Sequence, residues 1–212
     1  PIFLTFAFGC IWSARRGCWW YAGLFAALTT LTRNIGIMLV GFMILEMWLQ
    51  RKKVAPFSIL SLLAAPTALL AFSGFNYYLV GDPLAFVHAQ QRWGRIYGLP
   101  WNNIQNNIDL VVHKWSEIEP GVILDLGLVA FVLLALIVLT LFSRFKIRTS
   151  YLVVGWLWLA IPLFSTSLPF PLYSLARFVI VVFPLYFFIA QLPRPLFYTY
   201  LLGGTLLLMY CT

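Results

Sequence analysis

Charged residues are scarce in this sequence. Lysine and arginine number 14 and aspartate and glutamate only six, so that 9% of the 212 residues are charged and 62% are hydrophobic. A soluble domain carries roughly 25% charged residues. The mean hydropathy of +0.92 and the recurring apolar runs of about 18 residues or more therefore predict an all-α fold, a polytopic transmembrane helical bundle.

Signatures of cofactor and metal chemistry are missing as well. Cys10, Cys18 and Cys211 show neither metal-ligand nor CxxC spacing, which favours a role as small apolar residues. His88 and His113 are too far apart in sequence to indicate a metal pair. No GxGxxG or GxxxxGKS/T fingerprint occurs, nor a DxD pair for a metal-bound nucleotide sugar. We therefore expect no cofactor and no metal.

The net charge of +8 does not indicate a nucleic-acid partner. The basic residues lie at the ends of apolar runs and not on a polar face, which is the distribution that membrane topology produces. The expected partner of the chain is therefore the lipid bilayer, and we expect no nucleic-acid partner.

The apolar runs divide the chain into predicted membrane spans. The first run has no initiator methionine, so we expect residues 1–212 to be one transmembrane domain, the C-terminal portion of a longer chain. A polar interval at residues 81–119 is expected to be an outer-face loop with an interfacial helix. The expected runs are Pro1–Trp12, Trp19–Gln50, Phe57–Val80 with a kink at Pro66, Val122–Phe142, Tyr151–Leu168, Ala176–Leu192 and the residues from Leu196 onward.

The basic clusters constrain the topology. Cytoplasmic loops are enriched in Lys and Arg, so all the clusters should lie on one side, with an even number of crossings between them. Trp19–Gln50 must then go out and come back as two half-length or tilted helices that meet at Arg33–Gly36. Five of the six acidic residues fall on the outer side, and Glu46 is the exception. The clusters are Arg15/Arg16, Arg51–Lys53, Arg144/Lys146/Arg148 and Arg194.

Two arginines are expected at the outer ends of helices. Arg33 interrupts an apolar run, and Arg177 follows the break at Pro169–Ser174. Each is a candidate for binding a phosphate, since guanidinium groups and helix N-termini both favour anions. The alternative is an arginine that extends to the interface without a ligand. Asn34, next to Arg33, is a candidate to contact the substrate, because Asn34 and Gly36 let the backbone turn and approach a ligand closely.

The segment Gly81–Arg95, GDPLAFVHAQQRWGR, concentrates polar side chains. Its candidates for substrate binding are Asp82, His88, Gln90, Trp93 and Arg95. His88 is either a base or a surface hydrogen-bond partner, and Asp82 before Pro83 suits a helix N-cap. The asparagines at 102, 103, 106 and 107 could contact sugar hydroxyls or simply solvate a loop.

Four segments in this order carry a family resemblance: Arg15-Arg16-Gly17-x-Trp19-Trp20-x-Ala22-Gly23-Leu24, Leu31–Gly36, Gly81–Arg95 and Ala176–Leu185. Together they resemble the PIG-V type mannosyltransferases, the GPI mannosyltransferase II family and its prokaryotic relatives. The resemblance implies the GT-C architecture and an inverting hexosyltransferase. Such an enzyme moves mannose from a polyprenyl (dolichyl) phosphate donor to a lipid-linked acceptor on the non-cytoplasmic face.

The resemblance also assigns roles. An acidic residue of the first outer loop is the expected catalytic base, and that loop would precede Pro1. Arg33 and Arg177 would bind the donor phosphate. The expected location is a multi-pass position in the plasma membrane of a prokaryote or the endoplasmic reticulum of a eukaryote. Two alternatives stay open, a transporter or flippase of lipid-linked sugars and a non-catalytic membrane subunit.

Overall fold

The computed structural model describes residues 2–92, 94–113, 120–141, 147–167, 179, 181–191 and 193–199. As predicted, this part of the chain is almost entirely helical. The α-helices are α1 Ile2–Arg15, α2 Trp19–Thr32, α3 Leu39–Leu49, α4 Ala64–Val80, α5 Ala85–Arg92, α6 Pro100–His113, α7 Pro120–Leu141, α8 Thr149–Phe164 and α9 Pro184–Ala190, and residues 194–199 are helical too. Shorter 3-10 helices occupy Asn34–Met38, Arg51–Lys53 and Pro56–Leu63.

Two helical stretches of the described chain are long and apolar enough to cross a membrane. They are Pro56–Val80, with 25 residues, and Gly121–Leu141, with 21 residues. The apolar helices Ile2–Arg15, Asn34–Leu49 and Thr149–Phe164 are shorter. Pro66 lies in the first turn of α4, where a missing N–H removes no hydrogen bond of that helix. The irregularity in this stretch is the change from 3-10 to α-helix at Leu63–Ala64.

The predicted reversal within Trp19–Gln50 is confirmed. Helix α2 ends at Thr32, and Arg33 has an extended backbone with φ −153° and ψ 132°. After the 3-10 turn, α3 returns to the starting level, because Gln50 Nε2 donates to the Ala14 carbonyl over 3.1 Å. With 14 and 11 residues, α2 and α3 are about 21 and 17 Å long, shorter than an apolar bilayer core of about 30 Å.

Gly36 is the point of closest backbone contact in this reversal. A Cβ at Gly36 would lie 2.5 Å from the Thr30 nitrogen and 2.6 Å from the Thr29 carbonyl carbon. The sequence predicts that Gly36 allows close approach to a ligand. In the structure, the missing Cβ lets the 3-10 turn pack onto the end of α2.

Helix α8 connects the two ends of the bundle. Arg148 directly precedes it, and its 16 residues give it a length of about 24 Å. Helix α3 contacts α8, and a Cβ at Gly41 would lie 3.3 Å from Leu157 Cδ1. Since Glu46 bonds to Arg148, α3 runs antiparallel to α8, and Arg33–Gly36 lies toward the far end of α8.

A core of aromatic rings also packs against α8. Trp158 is fully buried, and its ring lies 5.4 Å from that of Phe3 and 6.1 Å from that of Phe183. The segment containing Phe183 departs from prediction. Residues 181–183 form a turn and α9 begins only at Pro184, so Ala176–Leu192 is not one continuous span. Pro184 starts the helix because a proline needs no N–H partner there.

A short strand pairing fastens the polar interval to the far end of α8. Strand β1, Arg95–Tyr97, runs antiparallel to β2, Ser165–Ser167, with Ile96 opposite Thr166. The Gly98 N–H continues the pairing to the Phe164 carbonyl over 2.9 Å. This is a small exception to the all-α prediction, and it places residues 95–103 beside the last turn of α8.

Candidate functional site

The segment Gly81–Arg95 folds back against α4. Gly81 ends α4 with φ +72°, a left-handed conformation that glycine adopts at little cost. Ser73 Oγ donates to the Pro83 carbonyl over 2.5 Å, and the Phe72 and Phe86 rings lie 5.5 Å apart. These contacts hold α5 alongside α4.

Asp82 and His88 form a hydrogen-bonded pair in this segment. His88 Nδ1 lies 2.6 Å from Asp82 Oδ2, while the Leu84 N–H donates to Asp82 Oδ1 over 2.9 Å. The sequence suggests Asp82 both as a helix N-cap and as a substrate contact, and the structure is compatible with both. One carboxylate oxygen caps the turn before α5, and the other contacts the histidine.

The electrostatics of the pair leave one imidazole nitrogen of His88 as a hydrogen-bond acceptor. The hydrogen bond from His88, and then the one from the Leu84 N–H, lower the pKa of Asp82 below its ordinary value. An ionised carboxylate only accepts hydrogen bonds, so Nδ1 of His88 donates to it, and Nε2 of the neutral ring is then an acceptor. Since the His88 side chain is 53% exposed, the neutral ring would offer Nε2 as an acceptor to an external hydroxyl group.

Arg33 and Asn34 lie at the same end of the bundle as the polar interval. Arg33 is the C-cap residue of α2 and Asn34 begins the 3-10 turn, and both side chains are exposed. That turn contacts α4 and α8, and α5 also packs on α4. The structure thus brings the Arg33 turn and the Asp82–His88 pair onto a shared neighbour, α4.

The other predicted site residues are described to different extents. Gln90 is exposed on α5, and Arg95 begins β1, where the structure describes its backbone. Trp93 and Arg177 lie outside the described residues. In the described part of the chain, no group of three or more His, Cys, Asp or Glu side chains is arranged to hold a metal ion.

Asn103 has a structural role, which corrects one alternative for the asparagine cluster. Its side chain is buried, and Nδ2 donates to the Leu163 carbonyl over 2.7 Å. Asn103 therefore satisfies a carbonyl at the C-terminal end of α8 and is not available to a sugar. Asn102 and Asn106 are exposed on the same helix, α6.

The opposite end of α8 holds a charge cluster that the sequence analysis did not predict. Glu46 is fully buried, and Arg148 donates to both of its carboxylate oxygens, over 3.0 Å from Nε and 2.8 Å from Nη2. Gln50 Nε2 donates to the same carboxylate over 2.7 Å, and Arg15 Nη1 lies 3.9 Å away. The sequence contains one indication of this cluster. Glu46 is the one acidic residue predicted on the inner side, next to arginines that the predicted topology already explains.

Comparison of the chain with protein-family models, with curated proteins and with solved structures finds no match.

Proposed function

We propose that this chain belongs to a multi-pass integral membrane enzyme that transfers mannose from a polyprenyl (dolichyl) phosphate to a lipid-linked acceptor on the non-cytoplasmic face. The observation that carries the proposal is the Asp82–His88 pair, 2.6 Å apart, inside one of the segments that carry the resemblance to the PIG-V type pattern.

The membrane part of the proposal is supported by the two long apolar helices. Pro56–Val80 is mostly exposed in the folded chain, and Leu70 and Tyr78 on its surface are 70% and 85% exposed. Exposed apolar area of this extent is costly in water and is normal against lipid.

Inverting transfer involves two bond changes at the sugar anomeric carbon. The acceptor hydroxyl loses its proton to a base and attacks that carbon, while the bond to the phosphate oxygen breaks and polyprenyl phosphate leaves. The resemblance assigns the base to an acidic residue of the first outer loop. Arg33 and Arg177 would stabilise the leaving phosphate, and His88 Nε2, oriented by Asp82, would accept a hydrogen bond from a substrate hydroxyl.

The experiment is a transfer assay on membranes that contain the full-length protein. Radiolabelled polyprenyl-phosphate mannose is supplied, and the label that moves into other lipids is measured after chromatography. We expect His88→Gln and Asp82→Asn to lower transfer about 10- to 100-fold, the range of a lost charge-assisted hydrogen bond. Arg194→Gln, a change at an exposed position in helical residues 194–199, is the control and should retain activity.

Two results would contradict the proposal. Label that becomes protected inside sealed vesicles without any new glycolipid would indicate a transporter or flippase. Full transfer by both His88→Gln and Asp82→Asn, at normal protein levels, would remove the pair from the site.

A further inference from the structure

An open cleft lies at the end of the bundle where α1 and α3 end and α8 begins. Its volume is about 520 Å³. The lining residues are Arg15, Leu49, Gln50, Arg51, Lys52 and Arg148. They come from three separate parts of the chain, so that the cleft exists only in the folded bundle.

The cleft carries a large excess of positive charge. Four of its lining residues are cationic, and the carboxylate behind them, Glu46, is fully buried. Arg148 already donates to both oxygens of Glu46. Arg15 stands 3.9 Å from the carboxylate, beyond hydrogen-bond distance, and Lys52 is exposed. Among the described residues that line the cleft, three positive charges are therefore left over for an external anion.

The cationic groups are held in place from behind. Gln50 bridges the Glu46 carboxylate and the Ala14 carbonyl, over 2.7 and 3.1 Å, and so connects the end of α3 to the end of α1. Glu46 in turn fixes the guanidinium of Arg148 with two hydrogen bonds. These bonds fix the helix ends that carry Arg15, Arg51 and Lys52, which lowers the entropy cost of binding an anion.

Two exposed tryptophans lie at the helix ends that border the cleft. Trp12 and Trp48, on the final turns of α1 and α3, are 58% and 61% exposed. The guanidinium of Arg16 lies 4.1 Å from the Trp12 ring and that of Arg51 lies 5.9 Å from the Trp48 ring. Tryptophans beside basic residues at helix ends are typical of the level of lipid headgroups. The anion that reaches the cleft is thus expected from the membrane surface.

We propose that this cleft binds the phosphate of an anionic phospholipid headgroup in the leaflet that it faces. Arg15, Arg51 and Lys52 provide the donors, and Arg148 stays paired with Glu46 behind them. The site lies about 24 Å from the polar interval, one length of α8 away. Lipid binding here therefore does not depend on the proposed sugar transfer.

The test measures the thermal stability of the full-length protein in non-ionic detergent by tryptophan fluorescence. Phosphatidylglycerol, phosphatidylcholine and inorganic phosphate are titrated separately. At a phosphatidylglycerol concentration about 100 times its dissociation constant, we expect Tm to rise by about 5–10 °C. Phosphatidylcholine, whose headgroup has no net charge, should raise it much less.

The double variant Arg15→Gln/Lys52→Gln should raise the dissociation constant for phosphatidylglycerol at least about tenfold, because two charge-assisted contacts are lost. Arg16→Gln/Arg194→Gln removes the same charge outside the cleft and should bind normally. Lys52→Gln alone changes an exposed side chain and should give a smaller loss, which keeps the test valid even if the double variant folds poorly.

The proposal is overturned by equal phosphatidylglycerol binding in the cleft and control variants. An equal Tm rise with inorganic phosphate and with phosphatidylglycerol would also overturn it, because the ligand would then be a soluble anion and not a lipid. Sugar transfer is measured on the same preparations, so that failure of either proposal is visible without the other.

Discussion

The two ends of the bundle treat a carboxylate in opposite ways. Glu46 is 0% exposed and surrounded by donors from three parts of the chain, whereas Asp82 is 37% exposed and bonds to His88, six positions away. A buried charge is tolerated only with partners, so Glu46 belongs to the architecture. An exposed pair contributes little stability, and its imidazole remains accessible. One end thus holds a carboxylate that the fold depends on, and the other holds the accessible pair for which we propose a role in sugar transfer.

The largest expected effect is from Arg148→Met. It leaves the buried Glu46 carboxylate with Gln50 and a distant Arg15, and loss of one partner of a buried ion pair costs about 3–5 kcal/mol. We expect a correspondingly large drop in the free energy of unfolding, measured by chemical denaturation in detergent.

Glu46→Gln is the matched comparison for that variant. It should cost less, below about 2 kcal/mol, because the arginines left behind are partly exposed and water can solvate them. If Glu46→Gln proved more destabilising than Arg148→Met, the carboxylate would not be the buried member that needs compensation.

Gly36→Ala tests the close backbone packing at the other end. The new Cβ would lie within 2.6 Å of the backbone at Thr29 and Thr30, and backbone atoms cannot rotate away. A loss of about 2–3 kcal/mol is expected. Gly74→Ala on α4 is the control, because a Cβ there meets nothing within 4 Å; it should be neutral or stabilising by about 0.5–1 kcal/mol. Equal effects would show that the turn is not closely packed on α2.

Some of these features were predictable because they depend on local chemistry. The break at Arg33 follows from a charged residue, an asparagine and a glycine inside an apolar run too long for one crossing. The Asp82 turn follows from an Asp-Pro pair before a helix. Both need only a few neighbouring residues.

The remaining features depend on distant contacts. Glu46 and Arg148 are 102 positions apart, and Asn103 and Leu163 are 60 apart. Periodicity and spacing contain no information on such pairs. From the sequence alone, Arg148 therefore indicates only the topology, and Asn103 is only a possible sugar contact. The cationic cleft could not be predicted for the same reason: its cations come from three segments that only the fold brings together.

The smallest expected effect concerns pH and the Asp82–His88 pair. Since the pKa of Asp82 is lowered in the folded chain, its contribution to stability is fully present above the ordinary aspartate value and is lost as pH falls through the lower folded value. The Tm difference between the wild type and Asp82→Asn should therefore shrink as pH falls below about 4. The exposure of the pair keeps this Tm difference small.

His88→Gln is the control in this pH series. It removes the largest cause of the lowered pKa while leaving the Leu84 N–H in place, so its Tm should change less than that of the wild type as pH falls below 4. A wild-type loss of many degrees that Asp82→Asn prevents would mean that the pair supports the fold. In that case the two ends would differ in exposure but not in role, and the assignment of chemistry to the Asp82 end would have to rest on the transfer assay alone.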